Sequence, residues 1–195
     1  MSPHPVLLVH GIDDNHTRLG RMSAALQAHG FAPVFAMDIV PPDGSISIEC
    51  MGEQVRDAVL KLQQVTLSTK VDIVAYSMGA LAARYFLQRQ GGRALVRRFI
   101  SIAGPHHGTL TACLRRGKGV SQMRPGSALI RDLNIDQTPW EDVEVSCFWS
   151  PLDLTIVPAK SACLLAARNR SFLVPIHPLM VYDQGVIAAV LQTLA

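Results

Sequence analysis

Short, mostly apolar runs alternate along this 195-residue chain with longer stretches of helical period, and that alternation leaves few folds open. The runs are Val6–Val9, Pro33–Ile39, Val71–Ala75, Phe99–Ala103, Val145–Trp149 and Ser171–Ile176. Continuous Val/Ile/Leu runs belong to strands covered on both faces, as in parallel sheets, whereas a half-wet strand alternates apolar and polar residues. Between the runs, Leu19, Met22 and Leu26 recur at helical spacing ahead of Gly30, as do Met51, Val55, Val59 and Leu62. Met78–Gln90 follows a run directly and stops at Gly91-Gly92, a common helix terminus. Val186, Ile187, Val190, Leu191 and Leu194 mark a C-terminal helix. About six strands and five helices in βα order predict an α/β fold, a mostly parallel sheet with helices on both faces.

No internal repeat, low-complexity tract or long linker divides the chain, so residues 1–195 are expected to form one domain. The stretch Pro105–Trp140 is longer than an ordinary βα connection and is expected to be a functional loop or reduced cap. Within it, Pro125-Gly126-Ser127 precedes Leu129, Ile130 and Leu133, predicting a short helix capped by Ser127.

Composition narrows the function classes. Hydrophobic residues make up 49% and charged ones 17%, against about 25% in typical domains, which provides a core and excludes widespread disorder. Mean hydropathy is high at +0.23. Yet no stretch without Asp, Glu, Lys or Arg is longer than Phe99–Leu114, which contains Pro105, His106 and His107, and a spanning helix needs about 20 apolar residues. No transmembrane helix is expected. The first Lys or Arg is Arg18 and Val6–Val9 is too short for a signal-peptide core. The expected location is therefore cytoplasmic, or secreted if a leader has been removed. Cys50, Cys113, Cys147 and Cys163 show neither C-x-x-C spacing nor clustering with His, so free, buried thiols are expected rather than disulfides or a metal site. A net charge of +3 without a recognised motif argues against nucleic-acid binding.

The segment Val71-Asp72-Ile73-Val74-Ala75-Tyr76-Ser77-Met78-Gly79-Ala80 runs from strand through x-Ser-x-Gly into helix. A tight turn that exposes a serine hydroxyl needs small residues two before and two after it, and Ala75 and Gly79 meet that need. An exposed nucleophilic serine needs a base. In this type of turn the partners follow in the order serine, acid, histidine. His106 and His107 have no acid between them and Ser77, which leaves His177, flanked by Pro175 and Pro178. Six acids separate Ser77 from His177: Asp132, Asp136, Glu141, Asp142, Glu144 and Asp153. Only Asp153 follows the fifth run, where open α/β sheets place their ligands; Asp136 and Asp142 are weaker candidates. Backbone donors for an oxyanion are expected at Met78 N–H, which opens the helix after Ser77, and at Ile12 N–H, beside Gly11. His10 has three readings: metal ligand, positioning ring or plain packing.

These residues resemble the α/β-hydrolase superfamily, and within it the minimal bacterial triacylglycerol lipases and esterases with an Ala-x-Ser-x-Gly nucleophile elbow. The similar segments are Val9–Ile12, Ala75–Gly79, Ala103–Thr109, Met123–Ser127 and Asp153–Pro158 with Ser161-Ala162. The resemblance implies ester hydrolysis through an acyl-enzyme, with Ser77, Asp153 and His177 as triad, the Ile12 and Met78 amides as oxyanion hole, and no cofactor or metal. Its substrate would be an ester or lipid. Tyr76 stands where the group often has His, and Ala80 where it often has Gly. An acyltransferase with the same triad, and a non-catalytic binding protein on the same scaffold, are the rival readings. Oligomeric state is not legible.

From Ile73 to Arg131 there are ten Lys or Arg residues and no acid. Arg115, Arg116, Lys118 and Arg124 fall in the expected cap, where a basic field would favour transient contact with an anionic lipid surface.

Overall fold

The computed structural model describes residues 4–135, 140 and 143–195. Six strands, β1 (Val6–Val9), β2 (Val34–Met37), β3 (Val71–Tyr76), β4 (Val96–Ile102), β5 (Glu144–Trp149) and β6 (Arg168–Ser171), form one sheet. Its order is β2-β1-β3-β4-β5-β6, and every neighbouring pair is parallel. The helices are α1 (Gly20–Ala28), α2 (Ile48–Thr66), α3 (Met78–Arg89), α4 (Lys118–Gln122), α5 (Ala128–Ile135) and α6 (Gln184–Leu194).

Alternate residues of the same strands feed two separate cores. Leu7, Val9, Ile73, Ala75 and Phe99 pack with Met51 and Val55 of α2 and Leu81 and Phe86 of α3. Val6, Leu8, Val74, Ile100 and Phe148 pack with Met22 and Leu26 of α1 and Val186 and Val190 of α6. Each fully buried side chain of this size contributes about 1.5–3 kcal/mol by leaving water. The runs are apolar at neighbouring positions because both faces of the sheet are covered. Among the described residues, no helix is long and apolar enough to cross a membrane, and no group of His, Cys, Asp and Glu could hold a metal ion.

Two strands differ from the sequence reading. β4 begins at Val96 rather than Phe99 because its charged residues find partners on neighbouring strands: Arg97 bonds both oxygens of buried Asp72 at 3.0 and 2.5 Å, and Arg98 lies 3.5 Å from Glu144. β6 is Arg168–Ser171, not Ser171–Ile176. All four of its residues are exposed at the sheet edge, where polar and charged side chains are the rule. The apolar run that follows is a loop that buries Val174 and leads into a 3₁₀ helix, His177–Val181.

Inside Pro105–Trp140 the chain forms a 3₁₀ helix (Leu110–Leu114), α4 and α5. The Ser127 hydroxyl accepts a bond from Ile130 N–H at 3.1 Å, capping α5 as expected. Asp136, Glu141 and Asp142 lie outside the described residues. All four cysteines are free, but only Cys147 is buried; Cys50 and Cys113 are exposed and Cys163 is half-buried. The expectation of buried thiols is corrected accordingly, since the helix face holding Cys50 and the cap turn holding Cys113 both meet solvent.

Candidate active site

Ser77 joins β3 to α3 at φ +54°, ψ −125°, a conformation that side chains rarely adopt. The turn is held from both ends. Ser77 N–H continues the sheet ladder by donating to Ile102 O at 2.9 Å, and Ser77 O accepts from Ala80 N–H at 3.0 Å, which starts the helix. Space for the turn comes from missing side chains. A Cβ on Gly79 would run into the His10 carbonyl and lie 2.9 Å from Val9 Cγ1, while one on Gly11 would lie 3.0 Å from Ser77 Cβ.

Asp153 is presented by a turn at the end of β5. Asp153 N–H donates to Ser150 O at 3.2 Å, and its Oδ1 accepts from the amides of Thr155 at 2.8 Å and Ile156 at 3.1 Å. His177 arrives on the loop after β6, which the Ser150 hydroxyl ties down by donating to Val174 O at 2.7 Å. The structure brings the three together: His177 Nδ1 lies 2.6 Å from Asp153 Oδ2 and His177 Nε2 lies 2.9 Å from Ser77 Oγ. Because the carboxylate only accepts, Nδ1 carries the proton and Nε2 is left to accept from the serine hydroxyl. All three residues are buried, Ser77 at 6% exposure, Asp153 at 4% and His177 at 7%. The Tyr76 ring lies 5.0 Å from the imidazole, and burial pushes its phenol pKa up, so it stays neutral.

Met78 is the first residue of α3, a position whose N–H has no partner within the helix. Ile12 lines the same pocket as Ser77. This pocket, about 140 Å³, is lined chiefly by apolar surface, including Ile12, Ala112, Val120, Met123 and Ile156, and also by Thr109, Thr111, Thr155 and Arg115.

His10 is fully buried and both ring nitrogens are occupied by the protein. Nε2 accepts from Ile39 N–H at 2.9 Å, so Nδ1 carries the proton and donates to Gly11 O at 2.7 Å. The metal-ligand reading of His10 fails on those bonds. In a trans peptide the C=O and the following N–H point in opposite directions. Holding the Gly11 carbonyl therefore also holds the Ile12 N–H. A His directly before Gly-Ile in the sequence is the signal, but its partner, Ile39, stands 29 residues away.

His106, excluded by chain order, sits 0% exposed with Nε2 2.7 Å from Ser101 Oγ. Burial, reinforced by the Arg84 cation, holds its pKa well below the ordinary histidine value. Arg84 is itself buried and bonds the carbonyls of His106 at 2.9 Å and Leu133 at 2.6 Å, fastening α3 to the cap. Burial lowers its pKa to about 10, which leaves it charged at neutral pH. Other basic residues of the acid-free run are paired with acids from elsewhere in the chain: Arg89 with Asp132 at 2.8 Å, Arg97 with Asp72, Arg98 with Glu144, and Arg115 with Asp13 at 2.7 Å. The run is thus not a uniform basic face. Asp132 and Glu144, the remaining acid candidates within the described residues, are engaged in these pairs.

A family model described as palmitoyl protein thioesterase matches residues 5–143. The chain belongs to the palmitoyl protein thioesterase family. The matched span includes Ser77 and stops before Asp153 and His177. No match was found among curated proteins. Among solved structures, the mature lipase BlEst2 of Bacillus licheniformis is similar at TM-score 0.84 and 16% identity over 100% of this chain and 93% of that one. Lipase B of Aspergillus fumigatus is similar at TM-score 0.82 and 18% identity, over 98% of this chain and 52% of its own. A monoacylglycerol lipase of Paleococcus ferrophilus gives TM-score 0.69 at 13% identity, with 99% and 94% coverage. This member of the thioesterase family therefore has the α/β-hydrolase fold.

Proposed function

We propose that the protein is an acyl hydrolase that cleaves esters or thioesters through an acyl-enzyme on Ser77. The observation that carries this reading is the buried relay Ser77–His177–Asp153, with links of 2.9 and 2.6 Å, opening on an apolar pocket. As Ser77 Oγ attacks the carbonyl carbon, His177 Nε2 takes its proton and Asp153 stabilises the resulting imidazolium. The carbonyl oxygen becomes an oxyanion that accepts from the Ile12 and Met78 amides, donors worth about 3 kcal/mol each where tested by mutation. The bond from carbonyl carbon to leaving oxygen or sulfur then breaks, and His177 returns the proton to the leaving atom. Water, deprotonated by His177, attacks the acyl-enzyme and releases the acid with the serine restored.

The pocket sets the acyl size. An apolar cavity of about 150 Å³ holds a benzene ring, so the 140 Å³ here takes about six carbons before a chain must emerge. Family membership supports thioesters as substrates, and the names of the structural neighbours support oxygen esters.

The test is hydrolysis of p-nitrophenyl esters from short to long acyl chains, with matching thioesters, by wild type and Ser77→Ala. The reading predicts free acid formed in step with the released phenol, an optimum at short to medium chains, and loss of turnover in Ser77→Ala. Full activity in the variant, or no turnover by folded wild type on any substrate, would refute it.

A further inference from the structure

The pocket that opens on Ser77 carries polar groups for which a plain alkyl chain has no use. Thr111 and Arg115 line it together with Ser77, and both come from one turn of the cap: Thr111 lies in the 3₁₀ helix Leu110–Leu114, which Arg115 closes. That turn is fastened to the catalytic loop. Thr109 Oγ1 and Thr111 Oγ1 both donate to Thr155 O, each at 2.7 Å, and Thr155 N–H in turn donates to Asp153 Oδ1 at 2.8 Å. Thr111 is thereby held at a fixed place relative to the reacting groups.

The hydrogen bonds leave Thr111 with an unused acceptor. A threonine hydroxyl has one proton and two lone pairs. Thr109 Oγ1 accepts from Val157 N–H at 2.9 Å and lies 3.0 Å from Thr111 Oγ1. With both hydroxyl protons on Thr155 O, Thr111 Oγ1 keeps both lone pairs; with the Thr109 proton turned to Thr111, it keeps one. In either arrangement no donor among the described residues fills the last one. Arg115 supplies the complementary group. Its Nη1 lies 2.7 Å from Asp13 Oδ2, and a guanidinium has five N–H donors, so donors remain once that pair is made. The pair also cancels the charge at this wall, which favours a neutral oxygen over a carboxylate. An alkyl segment laid against Thr111 and Arg115 would cover polar groups without bonding them, which is costly. A hydroxyl on that segment satisfies both, donating to Thr111 Oγ1 and accepting from Arg115.

We infer that Thr111 and Arg115 are specificity-determining residues that select short acyl chains carrying a hydroxyl group over unsubstituted or carboxylated chains of the same length. The inference rests on the acyl-hydrolase reading and specifies the acyl half of its substrate.

The test holds the leaving group and the chain length constant. The p-nitrophenyl esters of hexanoic, 3-hydroxyhexanoic, 6-hydroxyhexanoic and adipic acid, the last with its second carboxyl free, are compared by kcat/KM, each divided by its alkaline hydrolysis rate to remove intrinsic reactivity. The better hydroxy ester should exceed the hexanoyl ester by about ten-fold in wild type, the equivalent of two net hydrogen bonds. Thr111→Val keeps the shape and removes the acceptor, and Arg115→Met removes the donors; each should lower the hydroxyhexanoyl-to-hexanoyl ratio by about three-fold or more. Thr111→Ser should retain it. Asp13→Asn leaves the Arg115 charge uncompensated and should raise the adipoyl-to-hydroxyhexanoyl ratio about three-fold. Asn accepts the left-handed backbone of Asp13, at φ +58°. Ratios taken within one variant cancel any loss of folded protein. A flat ranking, a preference for the hexanoyl or adipoyl ester, a preference for hydroxyl that survives Thr111→Val and Arg115→Met, or Thr111→Ser behaving like Thr111→Val would overturn the assignment while leaving the hydrolase reading intact. Failure of folded wild type to cleave any of the four would remove that reading, and the inference with it.

Discussion

His10 offers a way to weaken transition-state stabilisation without touching Ser77, His177 or Asp153. Its Nδ1–H grips the Gly11 carbonyl at 2.7 Å and its Nε2 is held by Ile39 N–H at 2.9 Å. His10→Ala releases the Gly11–Ile12 peptide, whose N–H is assigned to the oxyanion. Removing an oxyanion donor costs about 10²–10³-fold in kcat where measured, and a misplacement of about 1 Å costs about 10²-fold. We therefore expect kcat to fall about 10²-fold. KM should stay nearly constant, because the oxyanion exists only in the transition state. Stability falls too, by about 1–3 kcal/mol, since the buried Ile39 N–H loses its acceptor. His10→Asn retains an amide donor near Gly11 O and should recover part of kcat without recovering the Ile39 bond. The assay is steady-state hydrolysis of a short p-nitrophenyl ester, with active protein counted by serine titration and stability read from urea unfolding. A variant that loses stability but keeps kcat within two-fold would refute the reasoning, as would His10→Asn behaving like His10→Ala in kcat.

Three further outcomes are expected. Gly79→Ala drives a Cβ against the backbone carbonyl of His10, which cannot swing aside like a side-chain tip; urea unfolding should report a loss of about 1–3 kcal/mol, and esterase activity should fall further than stability because Ser77 and Ile12 are pushed apart. Asp153→Asn keeps the shape but no longer dictates the His177 tautomer, and kcat should drop about 10⁴-fold with far-UV circular dichroism unchanged. His106 binds its proton more weakly folded than unfolded, so its contribution to stability is present above about pH 6.5 and is lost as pH falls toward its depressed folded value. Between pH 6.5 and 5.5 this costs up to about 1.4 kcal/mol, and His106→Gln should show a correspondingly flatter stability profile by urea titration.

The parts of the fold that were legible are those whose reason lies within the segment. β1 reads as a continuous apolar run, and β3 as one broken only by the paired Asp72, because every one of their residues is buried, and α2 announces itself through Met51, Val55, Val59 and Leu62, all facing the core. β6 was illegible because an exposed edge strand has no apolar requirement to meet. α4 was illegible for another reason: its position is set by distant contacts, such as Gly119 N–H to Gly44 O at 3.0 Å and the Gln122 side chain to Ile48 N–H at 2.8 Å. At the site, the chain order of Ser77, Asp153 and His177 can be read from the sequence, but their contact distances depend on three separate strand ends meeting. The ring of His10 could not be assigned from its neighbours alone, and only its bond to Ile39 settles which nitrogen is protonated.

In the proposed reaction Ser77 Oγ is the atom that becomes acylated. The most direct measurement is labelling with an alkyl fluorophosphonate, followed by intact mass and peptide mapping, in wild type, Ser77→Ala and His177→Gln. A single adduct per chain is expected on the peptide carrying Ser77, with concurrent loss of esterase activity, no adduct in Ser77→Ala and strongly slowed labelling in His177→Gln. An adduct on another residue with activity lost, or full activity with Ser77 labelled, would contradict it.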